Sequence, residues 1–292
     1  MRIAFWVGLL GALTVLAACG GFGGGGGGGD SGGATGPASF RVLDLATGAV
    51  TDASTLPDLT AAAATSSQMV FRRVPAGSFT VGQTAGSLGA QSDETPATAT
   101  LAEYWIAVFE ITQGQWIALT GDPVAVPWKQ VDPAGVTGSA ATLASRPAFG
   151  VVYDDLIARL GVWNGGKTPQ LRLPSAQEWE YGCRAGTTTL FAWGDSLDPA
   201  VAGQFAVCAD VTVGVNGPAP VGGSRVSNGL GLWDMHGNVR EWVTTANPAL
   251  PELRGGSWAD NLLLSRSANR FTSVDKAYRH ALSGARLVLV AP

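Results

Sequence analysis

Three thiols and two imidazoles are the side chains of this 292-residue sequence best suited to nucleophilic, redox or soft-metal chemistry: Cys19, Cys183, Cys208, His236 and His280. Cys19 falls in an N-terminal apolar stretch, which leaves Cys183 and Cys208 as the thiols of the folded part. In an oxidising compartment these two can form a disulfide, provided the fold brings their Cα atoms close enough. His236, inside the run DMHGN, reads as a hydrogen-bonded core residue rather than an acid–base group. Arg172, Arg254, Arg270 and Arg286 read as structural arginines, paired with carboxylates such as Glu178, Glu180, Asp234 and Glu241. The net charge is −4 and no stretch concentrates Lys or Arg. A nucleic-acid partner is therefore not expected, since phosphate binding needs a basic stripe.

The elements that must position these residues begin after the N-terminus. Residues 1–18 have one Arg, an apolar run and small residues before Cys19, the pattern of a secretory signal. Leu16-Ala17-Ala18-Cys19 resembles the cleavage box of bacterial lipoproteins. The resemblance implies acylation of Cys19 and a membrane contact through the lipid anchor alone. Gly20 in place of Asp points to the outer membrane or cell surface. Residues 19–38 hold the lipidated Cys and a Gly-rich tether, which buries nothing and stays flexible. Residues 39–68 form a hairpin turning near Thr47-Gly48, followed by a linker. From 69 to 292 the chain reads as one α+β domain. Strands are expected on either side of Pro75-Ala76-Gly77 and over Tyr104–Ile111. Capping boxes at Thr112/Gln115 and Ser175/Glu178 open two helices. A third helix runs from about Tyr153 to Trp163, with Leu156, Ile157, Leu160 and Trp163 on one face. From Phe191 to Gly231 neither period is present, and loop is expected.

Six motifs then occur in one order: VPAGSFTVG, EITQGQW, RLPSAQEWEYGCRAG, GLWDMHGNVREW, LRGGSW and GARLV. Together they resemble the formylglycine-generating-enzyme, or sulfatase-modifying-factor, family. The resemblance implies that family's C-type-lectin-related fold, with short helices, small antiparallel sheets and much ordered loop. It also defines what is missing. The family's oxidases bind copper through two cysteines shortly after the GGS motif, because Cu(I) needs thiolates. Here residues 259–270 contain no Cys, and Asp260 and Ser265 stand about where the pair belongs. The family's non-haem iron branch needs a cluster of histidines, which His236 and His280 cannot supply. No catalytic residue is assigned and no cofactor is required.

The same run also resembles the variable proteins of diversity-generating retroelements, which display a C-terminal ligand surface between RGGSW and GFR. Arg254–Trp258 and the S-x-x-x-N-R stretch Ser265–Arg270 match; Ala285 departs from the Phe of GFR. This resemblance implies a ligand-binding region over 254–288. Its binding residues would be Ala259, Asp260, Asn261, Leu262, Leu264, Phe271, Thr272, Ser273, Tyr278 and His280, facing an unknown protein or surface ligand. Trp258, Asn269 and Arg270 would belong to the supporting frame, with Trp258 in the core. An undiversified family enzyme or accessory protein of unknown substrate is the second reading. The GNVREW motif further implies calcium ligands in Asn238 and Glu241.

Overall fold

A computed structural model describes residues 38–132, 144–211, 217–223, 225–277 and 279–290. Its compact unit spans Thr35–Pro292. The expected hairpin is formed by β1 (Phe40–Asp44) and β2 (Val50–Ala53), with Gly48 at φ 78° in the turn. β3 (Gln68–Val74) pairs with β1, so the hairpin extends the main sheet. β4 (Gly77–Val81) follows the Pro-Ala-Gly break but pairs with β5 (Ala97–Leu101) in a separate ribbon. β6 covers only Tyr104–Ala107, shorter than the apolar run that announces it. It pairs with β3, and the C-terminal β12 (Val288–Val290) inserts between β6 and β7 (Gln170–Arg172). The resulting order is β2-β1-β3-β6-β12-β7.

Helices close the core. α1 (Gln113–Thr120) has the expected box: Thr112 Oγ1 accepts from Gln115 N, the Gln115 side chain accepts from Thr112 N, and Gly121 stops the helix at φ 67°. A short α2 covers Trp128–Val131. α3 (Tyr153–Asn164) buries Tyr153, Leu156, Leu160 and Trp163 but leaves Ile157 at 40% exposure, past the edge of that inward stripe. α4 (Ala176–Arg184) opens on Ser175, whose hydroxyl accepts from Glu178 N while the Glu178 carboxylate accepts from Ser175 N. Among the described residues of the loop-rich stretch after Phe191 lies one further turn of helix, α5 (Pro199–Ala202).

The second sheet carries the C-terminal run. β8 (Arg240–Val243), β9 (Glu252–Arg254), β10 (Arg270–Phe271) and β11 (Ser283–Gly284) lie in the order β10-β9-β8-β11, with β11 parallel to β8. Trp116, Trp242, Phe71, Leu253 and Leu287 lie in one continuous core between the two sheets and the helices. Trp242 donates to Val151 O at 2.8 Å, so its large ring is buried with its polar handle satisfied. The architecture is α+β, with short helices and small, mostly antiparallel sheets joined by ordered loop.

Candidate functional site

Buried arginines fix the frame of the C-terminal run. Arg254 on β9 donates to Ala268 O, Asn269 O and the Glu180 carboxylate of α4. Arg266 donates to both oxygens of Glu94, at 2.8 and 2.9 Å, and also to Leu263 O and Gly89 O. Both members of that pair are almost fully buried, and they clamp the β4–β5 loop against the run. Arg286 donates to Glu241 at 2.9 Å, to Ala107 O and to Trp233 O, tying the C-terminal strand to β6 and β8. Charge-assisted bonds of this kind hold irregular backbone where no ladder does. Gly256, at φ 73°, sits so close to Ser265 that a Cβ there would lie 2.4 Å from Ser265 Oγ. Gly256 is thus required by close approach and by its positive φ.

The residues expected on the surface divide into two groups. Ala259, Asn261, Thr272 and Ser273 are exposed, while Leu264, Phe271 and His280 are half-buried. Two expectations are corrected. Leu262 is buried at 3% exposure in a cluster with Leu190, Phe191, Ala206 and Cys208. Asn261 caps the 3-10 turn Leu262–Ser265, and the turn swings Leu262 inward. Asp260 is also buried. It accepts from Arg240 Nε at 2.9 Å, from Arg240 Nη2 and from Ser257 Oγ at 2.7 Å, so it holds the loop instead of facing out. Tyr278 lies outside the described residues. The frame is corrected too: Trp258 is half-buried and outside the core, anchored by its backbone N–H to Asn238 O at 2.9 Å.

Leu264, Phe271, Thr272 and His280 line one open cleft of about 410 Å³. Phe271 lies beneath Arg240, whose guanidinium carbon is 3.8 Å from the ring centroid. Asp260 holds that guanidinium in place, so the stack is pre-organised. His280 Nδ1 accepts from Leu282 N at 3.2 Å, which assigns the ring proton to Nε2. Burial and the nearby Arg240 both hold its pKa below the ordinary histidine value. Arg240, Arg270, Asn269, Gln91 and Asp93 complete the cleft. Gln91 and Asp93 were not legible as site residues, because the clamp that brings their loop here joins Glu94 to Arg266 across the whole domain. A larger cavity of about 720 Å³, lined by Leu59, Phe109, Val221 and Trp233, lies elsewhere and contains none of the expected site residues.

The residues suited to redox or metal chemistry are occupied otherwise. Cys183 and Cys208 do not form a disulfide. They fall in different apolar clusters, because α4 directs Cys183 towards Met235 and His236, whereas Cys208 packs with Leu190 and Phe191. Burial pushes the Cys183 thiol up to about 12, far from a reactive thiolate. His236 is the expected core residue: one ring nitrogen contacts Ser265 O at 2.7 Å and the other accepts from Ala192 N. Ser265 Oγ is buried and Asp260 is paired with Arg240, so the positions standing for the copper-binding pair carry a hydroxyl and a neutralised carboxylate. Glu241 accepts from Trp179 Nε1 at 2.6 Å and from Arg286, and Asn238 Oδ1 accepts from Ala219 N at 2.9 Å. Calcium wants six to eight oxygens, and an arginine-bound carboxylate does not fit that demand.

Comparison with known proteins places this geometry in two steps. By fold, the chain resembles a variable protein from Treponema denticola (TM-score 0.62, 20% identity, covering 76% of this chain and 95% of that one). It also resembles PvdO from Pseudomonas aeruginosa (TM-score 0.60, 24% identity, covering 76% and 94%). By sequence, the model of the sulfatase-modifying factor enzyme 1-like domain matches residues 56–291, and the chain belongs to that family. The formylglycine-generating enzyme of Mycobacterium tuberculosis is 40% identical over 120 residues, which is 39% of this chain and 38% of that protein. An inactive formylglycine-generating enzyme 2 from Mus musculus is 32% identical over 142 residues, or 46% and 44%. The matched segment spans less than half the length of each of these two relatives.

Proposed function

We propose that this chain is a lipid-anchored protein of the outer membrane or cell surface whose sulfatase-modifying-factor domain is catalytically silent. In this reading its C-terminal run, 254–288, displays a ligand-binding surface that a retroelement diversifies. The observation that carries the reading is the division within that run. Arg254, Arg266 and Asn269 are buried and hydrogen-bonded, while Ala259, Asn261, Thr272 and Ser273 are exposed on the same loop. A fixed frame with outward-facing residues is what a surface needs in order to vary without losing its fold. The arginine-bound Asp260 and the buried Ser265, standing where a thiol pair would bind copper, favour silence over oxidase chemistry.

Sequencing this locus across many isolates tests the proposal. Substitutions should concentrate at 259, 261, 264, 271–273, 278 and 280, and should arise at adenines of the coding strand. A near-copy of the run should lie beside a reverse-transcriptase gene. Variation spread evenly along 254–288, or confined to silent changes, would overturn diversification and leave an undiversified family member.

A further inference from the structure

Arg270 is a cation with one long ion pair, to Glu252, and no hydrogen bond among the described residues. It lines the cleft at 20% side-chain exposure, and among the described residues none of its guanidinium nitrogens makes a hydrogen bond. Its Nε is buried and unpaired, and the nearest carboxylate oxygen, on Glu252, is 3.9 Å from Nη1, beyond hydrogen-bond range. Glu252 is in turn shared with Arg254 at 3.3 Å. A guanidinium presents five donors in a planar fork that matches a carboxylate bidentately. Leaving that fork without a hydrogen bond in a half-buried site needs an explanation.

A second unpaired group lies in the same cleft. Asn269 is 1% exposed; its Nδ2 donates to Leu264 O at 2.9 Å, which fixes the amide, and its Oδ1 is buried with no donor. The cleft therefore offers an anion-binding fork and a lone acceptor on adjacent residues of one strand end. His280, with Nδ1 already accepting, has Nε2–H to offer as a further donor. Arg240 stacks on Phe271 and is held by Asp260 at hydrogen-bond range, whereas Arg270 has only its long contact to a Glu252 shared with Arg254, so its donors are the ones open to a ligand. Leu264, Leu253 and Val274 supply apolar wall.

We infer that the cleft binds a peptide carboxylate, with Arg270 taking the carboxylate and Asn269 Oδ1 accepting a peptide N–H. A peptide carries both groups within one residue, whereas an inorganic anion offers no N–H. This rests on the display reading and names the chemistry of one variant of the surface, because Leu264, Phe271, Thr272 and His280 belong to the varying set.

Calorimetric titration of the full chain tests it, with a short peptide bearing two adjacent aspartates, the same peptide with asparagines, and inorganic phosphate as probes. The diaspartate peptide should bind saturably, the asparagine peptide at least tenfold more weakly, and phosphate more weakly than the diaspartate peptide. Arg270→Gln should weaken the diaspartate peptide tenfold or more, and Arg270→Lys should recover only part, because the ammonium lacks the fork. Thermal melts of both variants should match the parent, since Arg270 makes no internal hydrogen bond. Equal binding of the asparagine peptide, binding of phosphate as tight as that of the diaspartate peptide, unchanged affinity in Arg270→Gln, or no saturable heat from any probe would each overturn the assignment. Sequencing of the locus would still decide the display reading, because diversification does not depend on which ligand this variant takes.

Discussion

Leu262 and Thr272 show how little residue type says about role in an irregular run. Both satisfy the pattern of a displayed position, yet Leu262 is at 3% exposure among Leu190, Phe191 and Ala206 while Thr272 is exposed on the cleft rim. Removing buried methyl groups costs transfer free energy and leaves a cavity, so Leu262→Ala should destabilise the domain by about 2–5 kcal/mol. Thr272→Ala should stay within about ±0.5 kcal/mol, as surface changes do. Denaturant melts of the two variants check the contrast, and equal costs would mean that the run is packed uniformly. His236 makes a second prediction at this scale. It is buried, and burial lowers its pKa to about 4 from a reference of 6.5. Between those values the unfolded chain holds a proton that the folded chain does not, so stability falls as pH drops from about 6.5 towards 4. With about 1.4 kcal/mol per unit, the loss is roughly 3 kcal/mol. His236→Gln removes this contribution. The gap in unfolding free energy between parent and variant should be constant from pH 8 to about 6.5 and then shift against the parent on acidification, as measured by urea melts across pH. A gap independent of pH would show that His236 titrates alike in the folded and unfolded chain, and that its burial does not lower its pKa.

At the scale of elements, what was legible was what the chain decides locally. The capping boxes at Thr112 and Ser175 form as their spacing requires, because both partners of each box lie within four residues. The hairpin over β1 and β2 needs only its turn, and the inward stripe of α3 follows from helical period, except where Ile157 lies past the edge of the buried face. What was not legible depends on distant partners. Nothing in SGARLVLV announces that β12 inserts between β6 and β7, or that β11 runs parallel to β8. The inward swing of Leu262 depends on Leu190 and Phe191, and the inward carboxylate of Asp260 depends on Arg240. The same holds for the site. Phe271, Thr272 and His280 could be nominated from the motif that brackets them, but Gln91 and Asp93 reach the cleft only through the Glu94–Arg266 clamp. Trp258 was misplaced for the opposite reason. Its size suggested core, whereas its backbone N–H, bonded to Asn238 O, is what the frame uses.

At the scale of the whole molecule, a displayed surface works only if the domain is held at a boundary where ligands pass. The proposed anchor rests on the apolar run, Leu16-Ala17-Ala18-Cys19, and the eighteen residues that follow to Pro37, most of them Gly. Each buried CH₂ of an acyl chain contributes about 0.8 kcal/mol, so one chain binds reversibly and two or more bind durably. Anchoring through Cys19 therefore predicts an all-or-none partition. In cells expressing the full chain, the protein should fractionate with membranes, resist high-salt extraction and enter the detergent phase of a Triton X-114 separation. Cys19→Ala removes the acylated sulfur and should block processing, shifting apparent mass upward by the uncleaved leader and preventing metabolic labelling with palmitate. High salt separates this from an electrostatic attachment, which would be released as ions screen the charges. A Cys19→Ala variant that is processed and labelled like the parent would remove the anchor, and the domain would then have to find its ligand in solution.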